Sequence, residues 1–156
     1  MTPAINLLKK NKCDFKILKY DHDPECTNFG LEAAQKLNLN SNQVYKTLLV
    51  ELSSKELCVG IIPVNCKMSL KDIAKALGSK NAIMADKNEA QKVTGYLIGG
   101  ISPFGQKKRL KTVLDSSAKN FETIYVSGGR RGLDIEVKVE DMIKILNLKT
   151  ADISIK

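Results

Sequence analysis

Two apolar, β-branched segments separated by a short polar turn constrain the fold more than any other feature of this sequence. Residues 44–52 and 56–64 are rich in Val, Ile and Leu, and Ser53-Ser54-Lys55 separates them. Segments of this length and composition form β-strands, and a three-residue connection brings them together as an antiparallel pair. The sequence therefore predicts a β-hairpin over residues 44–64.

Helices and further strands are predicted on both sides of this hairpin. Thr2 before Pro3, Ser69 and Asp86 are typical helix N-caps, and Gly78 is typical of a helix end. Two further helices are predicted over residues 31–37 and 140–146. The other predicted strands cover residues 15–20, 82–85, 112–114, 121–127 and 133–137. Because hairpins dominate and helices are inserted between them, we expect an α+β fold with a mixed, largely antiparallel sheet flanked by helices.

The composition indicates one folded domain. The chain has 156 residues, 43% of them hydrophobic, and it contains no repeat or linker, so we interpret residues 1–156 as a single domain. No apolar run approaches the roughly 20 residues of a membrane span, and the N-terminus lacks a signal-peptide pattern. We therefore expect a cytoplasmic protein that has no membrane partner.

The cysteine and histidine content argues against a metal site. Cys13, Cys26, Cys58 and Cys66 form no C-x-x-C pair, and His22 is the only histidine. We expect free thiols, no metal and no cofactor. His22 lies in an acidic turn, which favours a solvated loop side chain over a catalytic base. An enzyme built on this sequence would work without the usual histidine-activated nucleophile.

The net charge favours a polyanionic partner. Lys and Arg number 25 against 17 Asp and Glu, which gives a formal net charge of +8. Two basic clusters stand out, one over residues 107–111 and the other at Arg130-Arg131. Each could equally be a solvated surface turn.

Three segments could carry chemistry. Lys46 lies on the first strand of the hairpin, so it either reaches water at a sheet edge or holds a phosphate, hydroxyl or carbonyl group. Residues 99–103 contain two consecutive glycines and a proline, which suits either a plain loop or backbone donors to an oxyanion. Ser127 and Asp134 flank a glycine-rich turn that would bring them close, although Asp134 could simply face solvent.

Four strings in the right order resemble the YbaK/EbsC family. They are residues 27–30 (TNFG), 44–48 (VYKTL), 94–103 (TGYLIGGISP) and 125–133 (YVSGGRRGL). The resemblance implies a barrel-like mixed sheet related to the editing domain of some prolyl-tRNA synthetases. It also implies an enzyme that deacylates Cys-tRNA(Pro), which prolyl-tRNA synthetase makes because cysteine and proline are similar in size. The implied partners are tRNA(Pro) charged with cysteine and prolyl-tRNA synthetase, and we expect the chain to be a monomer.

The resemblance also implies a mechanism and a set of site residues. The thiol of the cysteinyl group would attack its own ester and leave a thiolactone, while the protein positions the ester and stabilises negative charge. Lys46 would anchor the substrate. The implied backbone donors to the oxyanion are Gly99, Gly100 and Ile101. The implied substrate-binding residues are Tyr20, Phe29, Thr47, Ser102, Pro103, Ser127 and Asp134; pairing of Asp134 with the α-ammonium group is inferred from charge.

Two alternatives stay open at this stage. The first is a related trans-editing hydrolase for another mischarged tRNA such as Ala-tRNA(Pro), which would have to activate water because alanine has no thiol. The second is a tRNA-binding module without enzymatic activity, which the charge alone would explain.

Overall fold

Five α-helices, one 3₁₀ helix and ten β-strands make up the fold, and the computed structural model describes residues 1–156. The helices are α1 (Pro3–Lys10), α2 (Phe29–Lys36), α3 (Leu70–Ala76), α4 (Lys87–Thr94) and α5 (Val139–Leu146), with the 3₁₀ helix at Ser116–Asn120. The strands are β1 (Phe15–Lys19), β2 (Tyr45–Leu52), β3 (Leu57–Pro63), β4 (Lys67–Met68), β5 (Ala82–Met84), β6 (Thr112–Asp115), β7 (Thr123–Arg130), β8 (Leu133–Lys138), β9 (Lys149–Ala151) and β10 (Ser154–Ile155).

The predicted hairpin is the centre of a five-stranded sheet. Strands β2 and β3 pair antiparallel from Tyr45 opposite Pro63 to Glu51 opposite Leu57, which confirms the prediction. The strand order is β5-β2-β3-β6-β9, and the pairs β3–β6 and β6–β9 are parallel. The sheet is therefore mixed, as the sequence predicts.

A second, three-stranded antiparallel sheet has the order β1-β8-β7. In it Ser127 lies directly opposite Asp134, so the glycine-rich turn does bring these two residues together. Strands β4 and β10 form a separate antiparallel pair. The α+β class with largely antiparallel pairing is confirmed, because five of the seven strand pairs are antiparallel.

The barrel-like closure stays a prediction. The two larger sheets are joined by a single isolated parallel bridge between Val44 and Tyr125. Backbone hydrogen bonds reinforce this junction, since the N–H of Tyr125 donates to the carbonyl of Gln43 at 3.0 Å. The junction holds the start of β2 beside β7, and β7 with its partner β8 carries Ser127 and Asp134.

The three predicted helix caps all form. The side-chain oxygens of Thr2, Ser69 and Asp86 accept hydrogen bonds from backbone N–H groups three residues later, at 3.3, 3.2 and 3.1 Å. Each cap satisfies one backbone donor at its helix start, which fixes where α1, α3 and α4 begin. Helix α4 ends at Gly95 with φ of 81°, a left-handed conformation that suits glycine. The loop that follows α4 carries the Gly99-Gly100 pair.

The core is mainly aliphatic. A cluster of 20 buried residues lies between α1, α5 and strands of the two larger sheets, and a second cluster of nine packs α3 against the five-stranded sheet. Phe104 from the glycine-containing loop is fully buried in the larger cluster. Burying this ring anchors one end of that loop to the rigid body of the fold.

Candidate functional site

A cavity of about 640 Å³ brings together most of the residues singled out from the sequence. It opens between the start of α2, strand β2, the loop after α4 and the β7–β8 pair. Eight of the eleven predicted site residues line it: Tyr20, Phe29, Lys46, Thr47, Gly99, Ile101, Ser127 and Asp134. Segments that are distant in sequence thus share one concave surface, which is the usual setting of a small-molecule site.

The β2 wall of the cavity offers two polar groups without a protein partner. Lys46 is half-buried and forms no ion pair, and burial lowers the pKa of its ammonium group. The Oγ1 atom of the neighbouring Thr47 is buried and has no hydrogen-bond partner. Buried polar groups are normally paired, so the unpaired Thr47 hydroxyl and the unpaired Lys46 ammonium group are the two candidates on β2 for contact with a ligand.

The opposite wall carries a buried carboxylate. Asp134 is only 6% exposed and forms neither a hydrogen bond nor an ion pair with the protein. Burial raises the pKa of its carboxyl group to about 7. Burial and the nearby Asp134 charge raise the pKa of the Tyr20 hydroxyl to about 12, so Tyr20 stays protonated. The Asp134 side chain is thus no solvent-facing aspartate, and a cation in the cavity would be its natural partner.

The glycine loop contributes fewer backbone donors than predicted. Gly99 has φ of 89° and lines the cavity, and the N–H groups of Gly99 and Ile101 have no acceptor within the protein. The N–H of Gly100, in contrast, donates to the carbonyl of Leu97 at 2.9 Å, so it closes a turn. Because that N–H already has an acceptor, Gly100 is not a free backbone donor to an oxyanion.

Ser102 and Pro103 do not line the cavity. Ser102 is fully buried, and its hydroxyl accepts from the N–H of Phe104 at 3.3 Å. Pro103 lines a separate recess beside Leu7 and Arg109. Both residues are thus placed to shape the loop behind the site, and no direct contact with a substrate is proposed for them.

Two side chains pack near the ring of Phe29, which lines the cavity. The guanidinium carbon of Arg131 lies 4.5 Å from its ring centroid, and the ring of His22 lies 5.7 Å away on a tilted plane. The Nε of Arg131 also donates to the carbonyl of Ile98 at 2.9 Å. Arg131 therefore connects α2 to the glycine loop.

His22 is not a solvated loop side chain, and that interpretation is wrong. Its Nδ1 lies 2.6 Å from a carboxylate oxygen of Glu32, which is only 5% exposed. The other Glu32 oxygen accepts from the N–H of Asp23 at 2.7 Å and lies 3.4 Å from the Lys36 ammonium group. Burial by itself raises the pKa of Glu32, but these hydrogen bonds outweigh it and lower the pKa below its ordinary value.

Sequence reasoning missed the part of the lining that comes from β5 and α4. Met84, Ala85, Lys87 and Ala90 lie there, close to Ile98 of the following loop. Strand and helix were both predicted in this region, but the pairing of β5 with β2 was not. Only that pairing places α4 beside the cavity, and no local pattern reveals it.

Three further findings concern metal binding, membrane spanning and the cysteines. No group of three or more His, Cys, Asp or Glu side chains is arranged to hold a metal ion. None of the helices has the length and apolar character needed to cross a membrane. The four cysteines are free thiols, and none lines the cavity.

Comparisons with known proteins agree with this geometry. Residues 24–145 match the family described as "Aminoacyl-tRNA editing domain". The chain is 31% identical over 156 residues to the "Putative Cys-tRNA(Pro)/Cys-tRNA(Cys) deacylase EbsC" of Enterococcus faecalis, covering 99% of this chain and 94% of that protein. It is 23% identical over 146 residues to the "Multifunctional Ser/Thr-tRNA deacylase ProXp-y" of Escherichia coli K12, covering 90% and 84% of the two chains.

A solved structure shares the fold. It is described as "a putative trans-editing enzyme for prolyl tRNA synthetase", with a TM-score of 0.82 and 18% identity, and the match covers 99% of this chain and 96% of that one. The fold is therefore that of an aminoacyl-tRNA editing domain. The chain belongs to the aminoacyl-tRNA editing domain family, which confirms the resemblance to the YbaK/EbsC family.

Proposed function

We propose that this protein is a trans-acting deacylase that hydrolyses Cys-tRNA(Pro) with the help of the substrate's own thiol. One observation carries the proposal. The cavity lining contains an ammonium group, Lys46, and a carboxylate, Asp134, but neither histidine nor cysteine. A carboxylate, an ammonium group and two free backbone N–H groups can hold an aminoacyl ester, yet the lining contains neither a thiol nor a histidine-activated hydroxyl. The nucleophile then comes from the substrate.

The residues take separate roles in this reaction. The Asp134 carboxylate binds the α-ammonium group of the cysteinyl moiety, and Lys46 holds the ester or the terminal ribose. The N–H groups of Gly99 and Ile101 donate to the carbonyl oxygen as it gains negative charge. Tyr20, Phe29, Thr47 and Ser127 shape the pocket around the side chain and the sugar.

The chemical step forms one bond and breaks another. The cysteine sulfur attacks the ester carbonyl carbon, and the bond from that carbon to the ribose oxygen breaks. The thiol proton ends on the ribose oxygen, so the products are uncharged tRNA and a cyclic thiolactone. Water then opens the thiolactone to cysteine. The protein supplies orientation, which can account for a large part of the rate of an intramolecular reaction.

The proposed partners are tRNA(Pro) charged with cysteine and prolyl-tRNA synthetase, and we propose that the chain acts in the cytoplasm as a monomer. The names of the E. faecalis relative and of the solved structure support tRNA(Pro) and the synthetase. The net charge of +8 supports an RNA substrate.

The test is a deacylation assay on Cys-, Ala- and Ser-tRNA(Pro) with matched lysine variants. Lys46→Ala should lower the rate on Cys-tRNA(Pro) by at least about 100-fold while leaving the fold intact. Lys55→Ala removes the same charge from an exposed lysine paired with Glu51, and should leave the rate unchanged. Equal cleavage of the seryl or alanyl ester would refute attack by the substrate thiol.

A second function is favoured by the state of Asp134. A buried carboxylate with a pKa of about 7 is suited to act as a general base that activates water, which would serve esters without a thiol. The likeness to the E. coli Ser/Thr-tRNA deacylase points the same way. In that case Ser-tRNA would be cleaved at a rate that rises with pH up to about 7 and disappears in Asp134→Asn.

A further inference from the structure

A basic recess adjoins the cavity and shares one wall with it. Its volume is about 460 Å³, and it lies where the end of β1 meets the turn between β7 and β8. Its lining consists of Lys19, Tyr20, Asp21, His22, Arg130, Arg131 and Gly132. Tyr20 belongs to both linings, so a group bound in the recess is a neighbour of a group bound in the cavity.

The cations of this recess are not paired within the protein. Lys19, Arg130 and Arg131 are exposed, and none of them lies within ion-pair distance of a carboxylate. Asp21 is the one carboxylate in the lining, so the recess has a net positive charge. Lys36 behaves differently, because Glu32 and the carbonyl of Asp21 hold it.

Arg131 is oriented before any ligand arrives. Its Nε donates to the carbonyl of Ile98 at 2.9 Å, and its guanidinium group stacks on Phe29 at 4.5 Å. These contacts leave the two Nη groups without an acceptor in the protein. A guanidinium group fixed in this way can bind a phosphate with little further loss of side-chain entropy.

We propose that this recess binds the phosphodiester group next to the terminal nucleotide of the RNA substrate. The proposal rests on the proposed function in one respect, namely that an aminoacyl ester of a terminal ribose occupies the cavity. The first phosphate of that RNA is then one nucleotide away from the ester. The recess behind Tyr20 is the adjacent space whose charge and donors suit a phosphate.

The other basic cluster is placed less well for this phosphate. Arg109 lines a recess with Leu7, Pro103 and Ile145, and that recess shares no residue with the cavity. Lys111 is 3.7 Å from Glu56 and is therefore paired. Lys107 and Lys108 are exposed and line neither space, which makes them a matched control.

The experiment compares two substrates, one with phosphodiester groups and one without. One is Cys-tRNA(Pro), and the other is the cysteinyl 3′-ester of adenosine, which has none. The double variant Lys19→Ala/Arg130→Ala should lower kcat/KM on the tRNA by about tenfold or more and change the rate on the adenosine ester less than twofold. Arg131 is left unchanged because it also touches Phe29 and Ile98.

The salt dependence gives a second readout. The slope of log KM against log salt for the tRNA should become shallower by up to about 0.7 in the double variant, since one single-strand phosphate contact contributes about 0.7. The control Lys107→Ala/Lys108→Ala should lower kcat/KM less than twofold. Equal losses on both substrates, or an equal loss in the control, would each overturn the phosphate site.

Failure of the proposed function would look different. Wild-type protein would then hydrolyse neither ester. The phosphate site would still be tested by measuring the binding of uncharged tRNA(Pro). A shallower salt slope of Kd in the Lys19→Ala/Arg130→Ala variant would still support the phosphate site. An unchanged slope would refute it.

Discussion

Two buried carboxylates beside the cavity, Glu32 and Asp134, differ in whether the protein supplies their hydrogen-bond partners. Glu32 on α2 is 5% exposed and Asp134 on β8 is 6% exposed, so burial is nearly equal. Glu32 is bonded to His22, to the N–H of Asp23 and to Lys36, and its pKa is lowered. Asp134 has no such partner, and its pKa is raised to about 7.

The difference separates a structural charge from a functional one. The Glu32 group completes its hydrogen bonds within the protein, and it ties the loop before α2 to the helix. An unpartnered buried carboxylate weakens the folded state, so its retention makes sense where a ligand completes the site. The same reasoning applies to Lys46 and Thr47 on the facing wall.

The largest expected effect is on the pH dependence of stability. The folded-state pKa of Asp134, about 7, lies above its ordinary value of 3.8, so the folded protein binds this proton more tightly than the unfolded chain. The stabilising contribution is fully present below pH 3.8 and is lost as the pH rises to 7. The free energy of unfolding should therefore fall by at most about 4 kcal/mol over this window, measured by urea unfolding.

Asp134→Asn is the matched variant for this prediction. It keeps the shape and removes the titrating group, so its stability should lack this decline between pH 3.8 and about 7. Glu32 has the opposite sign, because its lowered pKa gives stability that is lost only on acidification through that pKa. A wild-type decline that persists in Asp134→Asn would show that another group causes it.

The second expected effect concerns the partnered carboxylate. Glu32→Ala should lower the free energy of unfolding by about 3 kcal/mol, because it removes the buried acceptor of three donors, His22, the Asp23 N–H and Lys36, at about 1 kcal/mol each. The kcat/KM on a cysteinyl adenosine ester should stay within about threefold of wild type at temperatures where the variant is folded. Glu32→Gln, which retains an acceptor, should cost less stability. A loss of activity in Glu32→Ala as large as in Asp134→Asn would break the distinction between the two carboxylates.

The features predictable from sequence are those that short segments determine. The three helix caps and the β2–β3 hairpin are local, and their polar and apolar patterns specify them. The closeness of Ser127 and Asp134 follows from a short turn between two strands. Lys46 and Gly99 stand out by their residue types, a lysine on an apolar strand and a glycine pair in a loop, and the resemblance to a known family adds their roles.

The features that could not be predicted depend on segments far apart in the chain. Parallel pairing of β3 with β6 joins Val59 to Thr112, and no local pattern encodes that choice. The stacking of Arg131 on Phe29 joins residues about 100 positions apart. The Glu32–His22 pair spans only ten residues, but the irregular loop between them has no periodicity to reveal it. The turn hydrogen bond of Gly100 is likewise visible only in the backbone itself.

The third expected effect tests whether the position of Phe29 depends on the close approach of Gly99 in the glycine loop. Gly99 has φ of 89°, and a Cβ there would lie 2.7 Å from the Phe29 ring and 2.9 Å from Nε of Arg131. Gly99→Ala should therefore cost about 2 kcal/mol of stability and also displace Phe29, lowering deacylation. Gly78→Ala is the control, since φ is 72° and no atom lies within 4 Å of the added Cβ. It should cost about 1 kcal/mol and leave deacylation unchanged; similar activity losses in both variants would argue against the coupling.

The smallest expected effect tests whether the Thr47 hydroxyl binds the substrate or is only buried. Thr47 Oγ1 is buried without a partner, so Thr47→Val should raise the free energy of unfolding by about 1 kcal/mol, the reverse of Glu32→Ala. If this hydroxyl contacts the substrate, KM for Cys-tRNA(Pro) should rise about fivefold to tenfold, because a lost hydrogen bond is worth about 1 kcal/mol. Thr47→Ser keeps the hydroxyl and should retain the wild-type KM. If Thr47→Val gains stability and keeps its KM, the Thr47 hydroxyl does not contact the substrate. Asp134 and Lys46 would then be the only unpartnered groups of the cavity with a role in substrate binding.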